Sequence, residues 1–148
     1  MNSFDYKIIE CNHHSCGLAR NEGLEIARGR YIWFVDGDDW IIYYDVIPNC
    51  LDAMDKNNSE IIRLKYVSNF FNIDYFSMVW QYIYRRDYIG NLRFLSIQPN
   101  EDVEWSKILL KPYELKGIPL YNIPTYFYNY LRPGSNMTKY NEKGKIVD

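Results

Sequence analysis

Residues 31–35, Tyr-Ile-Trp-Phe-Val, are apolar at every position and run directly into Asp36-Gly37-Asp38-Asp39. An unbroken apolar run of strand length predicts a strand covered on both faces, as in a parallel sheet, because a half-exposed strand would alternate. Upstream, Ser15 to Arg28 carries Leu18, Ala19, Ile26 and Ala27, with Gly29 placed as a helix stop. The short stretch "YKIIEC", residues 6–11, reads as a strand before that helix. Downstream, Val46, Ile47, Cys50, Leu51 and Met54 fall at helical spacing, and residues 60–66 and Val79–Arg85 read as strands. "NEDVEWSKILL" has the acidic start and apolar continuation of a helix. "IPTYFYNYLRPGS" reads as a final strand and turn. Asn69 to Ser77 is an aromatic loop without periodicity, and a second loop surrounds Pro99. Helices alternating with strands predict an α/β domain.

The end of the apolar run admits two readings. Asp36-Gly37 suits a type I′ turn, with "WII" as a returning strand. A hairpin gives no reason for three carboxylates within four positions, however. Two like charges ~4 Å apart repel by about 1 kcal/mol in water and ~4 kcal/mol near a protein surface. If the chain is extended, Asp36 and Asp38 project to one side, where a divalent cation would bridge them to a diphosphate, and Asp39 faces elsewhere.

Composition sets bounds without naming a chemistry. A chain of 148 residues, 47% hydrophobic with net charge −2, suits one globular domain, and its near-neutral balance disfavours nucleic acid as a partner. No repeat or linker divides it. Fifteen tyrosines suit β-rich packing or stacking on sugar-like ligands. The stretch Tyr66 to Tyr84 contains Asp74, Asn69, Asn72, Ser77 and Gln81, so it reads poorly as a membrane span, and no secretory signal is evident. A cytoplasmic protein is expected, working at most peripherally at the inner face of a membrane. Three cysteines argue for reduced thiols. "ECNHHSC" gathers Cys11, His13, His14 and Cys16. Adjacent histidines in extended chain point to opposite sides, and no second Cys/His pair follows, so a polar loop is favoured over zinc.

The run "CGLARNEGLEIARGRYIWFVDGDDW" resembles the helix and DxD-ended strand of the family 2 glycosyltransferases of the GT-A (Rossmann-like) fold, especially bacterial enzymes that build surface polysaccharides. "NEDVEW" resembles that family's acidic ED motif, and "YFYNYLRPGSNMT" its closing strand and turn. The resemblance covers roughly residues 6–138, leaving 139–148 as a mobile tail. It also implies that the first βαβ part, which forms the nucleotide-base pocket, is missing from this chain.

Residue by residue, the resemblance implies that Asp36 and Asp38 form the DxD pair. Asp38 would ligate the metal, and Asp36 would lie near the donor ribose or the metal. Asp102 would be the general base, with Glu101 shaping the acceptor site. Arg20 would lie on the nucleotide side, and Arg132 would touch the diphosphate. The implied reaction is transfer of a sugar, with inversion, from a nucleotide-diphosphate sugar to a hydroxyl of a saccharide or lipid-linked acceptor, assisted by Mn²⁺ or Mg²⁺. The aromatic loop Asn69–Tyr75 would govern acceptor choice. The alternative is a catalytically incomplete remnant that self-associates through an exposed sheet edge.

Overall fold

The structure is a computed structural model, and it describes residues 5–69, 78–96, 100–114, 116–130 and 133. Helix α1 spans Cys16–Ile26, and its first turn is closed by the Ser15 hydroxyl, which accepts from the Leu18 N–H. Strand β1 is Tyr31–Trp33 and β2 is Trp40–Ile41. Helix α2, Ile47–Lys56, starts with Pro48 in its first turn, where the missing N–H costs nothing. Strand β3 is Ile61–Ser68, β4 is Tyr82–Arg85, helix α3 is Arg86–Ile89, α4 is Glu101–Leu110, and β5 is Leu120–Tyr128.

The five strands form one mixed sheet in the order β1-β4-β3-β5-β2. β3 and β5 run parallel, and the other three pairings are antiparallel. The register between β3 and β5 shifts on either side of Lys65, which pairs with Pro124. Proline donates no ladder bond, so it is tolerated in a strand interior at such an irregularity.

Two apolar layers cover the sheet. On one face Ile61, Tyr82, Tyr84, Phe94, Trp105 and Leu109 form a buried cluster on which Ile32 and Phe34 pack. On the other, Cys50, Met54, Ile62, Leu64 and Ile83 pack with Tyr31 and Trp33. The apolar run of residues 31–34 is therefore explained: alternate side chains enter different cores. The expected parallel neighbour of this strand is corrected, since β1 pairs antiparallel with β4, with Tyr31 opposite Arg85 and Trp33 opposite Ile83.

Two further expectations change. "YKIIEC" is not a strand: residues 5–13 join no ladder among the described residues, and Tyr6 and Ile8 are more than 80% exposed. A strand exists only with a partner for its N–H and C=O groups, and apolar alternation alone supplies none. The strand expected over Val79–Arg85 begins as a 3₁₀ turn, Val79–Gln81, before extending. The helix of residues 46–54 and the strand of residues 60–66 stand where expected. The tail 139–148 lies outside the described residues.

Candidate active site

The acidic run forms a turn and not a hairpin. The Asp39 N–H donates to the Asp36 carbonyl at 3.1 Å. The strands on either side pair with different neighbours, β1 with β4 and β2 with β5. Neither Gly37 nor Asp38 has the positive φ that a type I′ turn requires. The extended geometry that would place Asp36 and Asp38 on one side is corrected by the same bond, because a turn removes the two-residue alternation.

Part of the positive charge beside these carboxylates comes from the chain itself. Arg20, on α1, donates from Nη2 to Asp36 Oδ1 at 2.8 Å and from Nη1 to Glu101 Oε1 at 3.1 Å. Its side chain is only 14% exposed, and its guanidinium lies 5.5 Å from the centre of the Phe94 ring. One arginine thus joins the acidic turn to the first residue of α4, across 16 and 81 positions of sequence. Burial works against its charge, but the Asp36, Asp102 and Glu101 carboxylates outweigh that and leave its pKa raised.

Asp102 stands one residue further along α4. Burial pushes its carboxyl above the ordinary range, and Arg20 offsets this only in part. A raised carboxylate is a stronger base, which suits proton removal from a hydroxyl. In the apolar cluster behind this region, Phe94 and Trp105 stack at 4.5 Å with Phe34 edge-on to both, and the Arg20 guanidinium lies over Phe94.

Asp39 is held by β5 and the residue beyond it. It accepts from the Tyr126 hydroxyl at 2.5 Å and from the Asn129 N–H at 2.8 Å. The same hydroxyl accepts from the Asp36 N–H at 3.2 Å, so one phenol on β5 clamps both ends of the turn. Burial pushes Asp39 up to about 6 despite these two bonds.

Two residues escaped sequence reasoning. Gly17 lies where α1 approaches the 94–101 segment most closely: a Cβ there would sit 2.8 Å from Glu101 Cγ, 2.9 Å from the Leu95 carbonyl oxygen and 3.0 Å from Phe94 Cβ. Asn21 donates to the Phe94 carbonyl at 2.9 Å and accepts from the Phe94 N–H at 2.8 Å, fixing that segment as a strand neighbour would. Both sit beside Arg20 in "CGLARN", and their small size and amide were the only available signals.

Of the sequence-predicted site residues, Arg20, Asp36, Glu101 and Asp102 are brought together, and Asp38 lies in the turn that Arg20 anchors. Arg132 and, of the loop expected over Asn69–Tyr75, residues 70–75 lie outside the described residues. Among the described residues no three His, Cys, Asp or Glu side chains gather as a ready metal site, and no helix is long and apolar enough to cross a membrane.

Comparison with known proteins bears on the fold and the family. S. aureus TarS 1–349 in complex with UDP-GlcNAc superposes with a TM-score of 0.72 at 21% identity, over 88% of this chain and 43% of that one. TarS 1–349 in complex with UDP gives 0.69 at 19% identity, over 82% and 42%. These likenesses show the GT-A fold, and the chain spans less than half the length of either structure. EpsH of Bacillus subtilis (strain 168), provisionally named a glycosyltransferase, is 47% identical over 36 residues, which are 24% of this chain and 10% of EpsH. The profile of Glycosyl transferase family 2 matches residues 2–112, most of the sequence, and the chain belongs to that family.

Proposed function

We propose that this chain carries the metal- and base-bearing half of a site that transfers a sugar, with inversion, from a nucleotide-diphosphate sugar to a hydroxyl acceptor in surface polysaccharide synthesis. The observation that carries the reading is the Arg20 bridge, which holds the acidic turn and the start of α4 on one wall with Asp102 beside them. In this reading Asp102 takes the acceptor proton at a carboxylate oxygen as the hydroxyl attacks the anomeric carbon, and the diphosphate leaves with the bonding electrons. Glu101, fixed by Arg20, shapes the acceptor side. Arg132 remains assigned to the diphosphate.

The donor set fits a hard cation as an incomplete site. Mg²⁺ and Mn²⁺ favour oxygen ligands, and Mg²⁺ is commonly held by one or two carboxylates with substrate phosphates and water completing the shell. Asp38 is the first choice for that role, with Asp36 beside it, while Asp39 is engaged by Tyr126 and Asn129. The bound ion would take up charge developing on the leaving diphosphate. The solved TarS structures with UDP and UDP-GlcNAc make a uridine donor the natural probe.

Titration calorimetry with UDP, with and without Mn²⁺, tests the reading. Metal-dependent heat that Asp38→Asn removes supports it, and binding indifferent to both metal and Asp38 overturns the assignment. A second reading rests on the outer edge of β1, beyond which no described strand lies, and on the exposed Tyr6 and Ile8. Such an edge pairs readily with another chain, giving a self-associating protein without turnover of its own. Sedimentation as a monomer at micromolar concentration would remove it.

A further inference from the structure

The turn that carries Asp38 and Asp39 leads straight into an aromatic surface that the chemistry above does not use. Trp40 on β2 lies directly opposite Phe127 on β5, and Phe127 lies opposite Val67 on β3, so the three form one cross-strand row. The Trp40 and Phe127 rings are parallel within 6° and 4.1 Å apart. One face of the indole is therefore covered by Phe127, yet Trp40 remains 51% exposed. Just past the strand ends, Asn69 donates its amide to Asn129 Oδ1 at 3.1 Å and accepts from the Tyr130 N–H at 2.8 Å, both exposed. The surface thus combines a rigid flat ring, a neutral amide pair and, through Asn129, a direct bond to Asp39.

We infer that the Trp40 face is a saccharide subsite, taking one pyranose ring of the acceptor flat against the indole. The inference rests on the sugar-transfer reading and specifies its acceptor as carbohydrate at this position. A pyranose offers an apolar face of C–H groups rimmed by hydroxyls, which matches an exposed indole with a polar amide pair two positions further along the neighbouring strands. The stack on Phe127 fixes the ring before binding, so little side-chain entropy remains to be lost. The charge nearby points away from a lipid surface: Asp38 and Asp39 precede Trp40 and Asp45 follows it, whereas an aromatic patch that binds anionic bilayers is accompanied by lysine and arginine.

The experiment uses the chain without donor, so it is independent of nucleotide binding. Trp80 and Trp105 are buried and Trp33 is partly covered, so acrylamide quenching of tryptophan emission reports chiefly on Trp40. The probes are methyl β-D-glucopyranoside, methyl N-acetyl-β-D-glucosaminide, methyl β-D-galactopyranoside and cellotriose, with phosphatidylethanolamine/phosphatidylglycerol vesicles as a separate arm. The expected result is that at least one saccharide protects the quenchable emission, by about half at a concentration equal to its Kd. Saturation-transfer NMR on that saccharide should persist in Trp40→Phe, which keeps a ring on Phe127. It should weaken about tenfold, the equivalent of ~1.4 kcal/mol, in a Trp40→Ala protein whose melting remains cooperative. Absence of protection by every saccharide overturns the inference, as does saccharide binding that survives Trp40→Ala unchanged. Protection by vesicles alone replaces it with a membrane contact. Loss of UDP binding in the calorimetric test with saccharide protection intact would instead count against the donor assignment alone.

Discussion

Replacing Arg20 by methionine removes the side chain that bonds both Asp36 of the acidic turn and Glu101 of α4 while keeping much of its apolar bulk. At 2.8 Å and 3.1 Å the two ion pairs are each worth about 5–6 kcal/mol of gross attraction at an effective dielectric of ~20. Most of that offsets the desolvation of three groups, and Asp36, about a third exposed, contributes the smaller share. What the substitution exposes is the stranded Glu101, 9% accessible, and the neighbouring Asp102, both without compensation. Removing one partner of a buried pair typically costs ~3–5 kcal/mol, and the partial exposure here places the expected loss near ~3 kcal/mol at pH 7. The sign of the pH dependence follows from the carboxylates. Burial already holds Asp102 above the ordinary range with Arg20 in place, and without that offset its folded pKa rises further above the unfolded one, so the variant loses more stability than the wild type as pH rises. The gap between wild type and variant should therefore shrink as pH falls from neutrality toward the ordinary carboxylate range. Urea unfolding of both proteins at several pH values measures this, with an unchanged m-value confirming that the same transition is followed. A deficit below about 1 kcal/mol, or one indifferent to pH, would refute the view that Arg20 is the counter-ion of this cluster.

Gly17→Ala should cost ~1–3 kcal/mol in the same assay, because the added methyl meets the Leu95 carbonyl as well as side chains and backbone cannot swing aside. Asn21→Ala leaves the Phe94 N–H and carbonyl without their partner and should lose about 2 kcal/mol, read together with faster amide exchange at Phe94. Asp39 has a folded pKa of about 6 against an ordinary value of 3.8, so its contribution is fully present below the unfolded value and is lost as pH rises through 6. Asp39→Asn should accordingly flatten the stability profile between those values, and an unaltered profile would show that Asp39 is not the titrating group. In an active form, Asp102→Asn should abolish transfer while UDP binding by calorimetry stays near that of the parent; turnover surviving at more than a few per cent would reduce Asp102 to helix stabilisation.

Much of the framework was legible because local pattern and tertiary role agree. The α2 periodicity, with Cys50 and Met54 buried, and the apolar residues 31–34 reflect packing that the chain states in nearby letters, whereas Ala19 and Ile26 of α1 are exposed although α1 forms where expected. Where reading failed, the deciding partner was distant. "YKIIEC" has strand-like residues, yet no pairing neighbour for it stands among the described residues. The orientation of Asp36 and Asp38 was inferred from an extended chain, whereas the backbone bond from Asp39 to Asp36 turns it. The hairpin alternative was set aside correctly, because the partners of β1 and β2 lie elsewhere in the sheet. The need for a positive charge among the aspartates was readable from Coulomb's law, but its source was not. Arg20 and Glu101 meet across 81 residues, and nothing in either local stretch announces that distance.

The Tyr126 phenol has a consequence for the order in which the molecule can be made. Its contacts with Asp36 and Asp39 span 90 and 87 positions, and the Asn129 N–H reaches Asp39 over 90. Chains emerge from synthesis at roughly 5–20 residues per second. The acidic turn therefore waits several seconds, with like charges side by side, before the strand that clamps it exists. Long-range closures of this kind are entropically costly and slow. The turn is thus a late product of folding, shaped only when β5 docks beside β3. A cut between Asp39 and Tyr126 would leave the three aspartates of the turn in the chain and still release the clamp that sets where they stand.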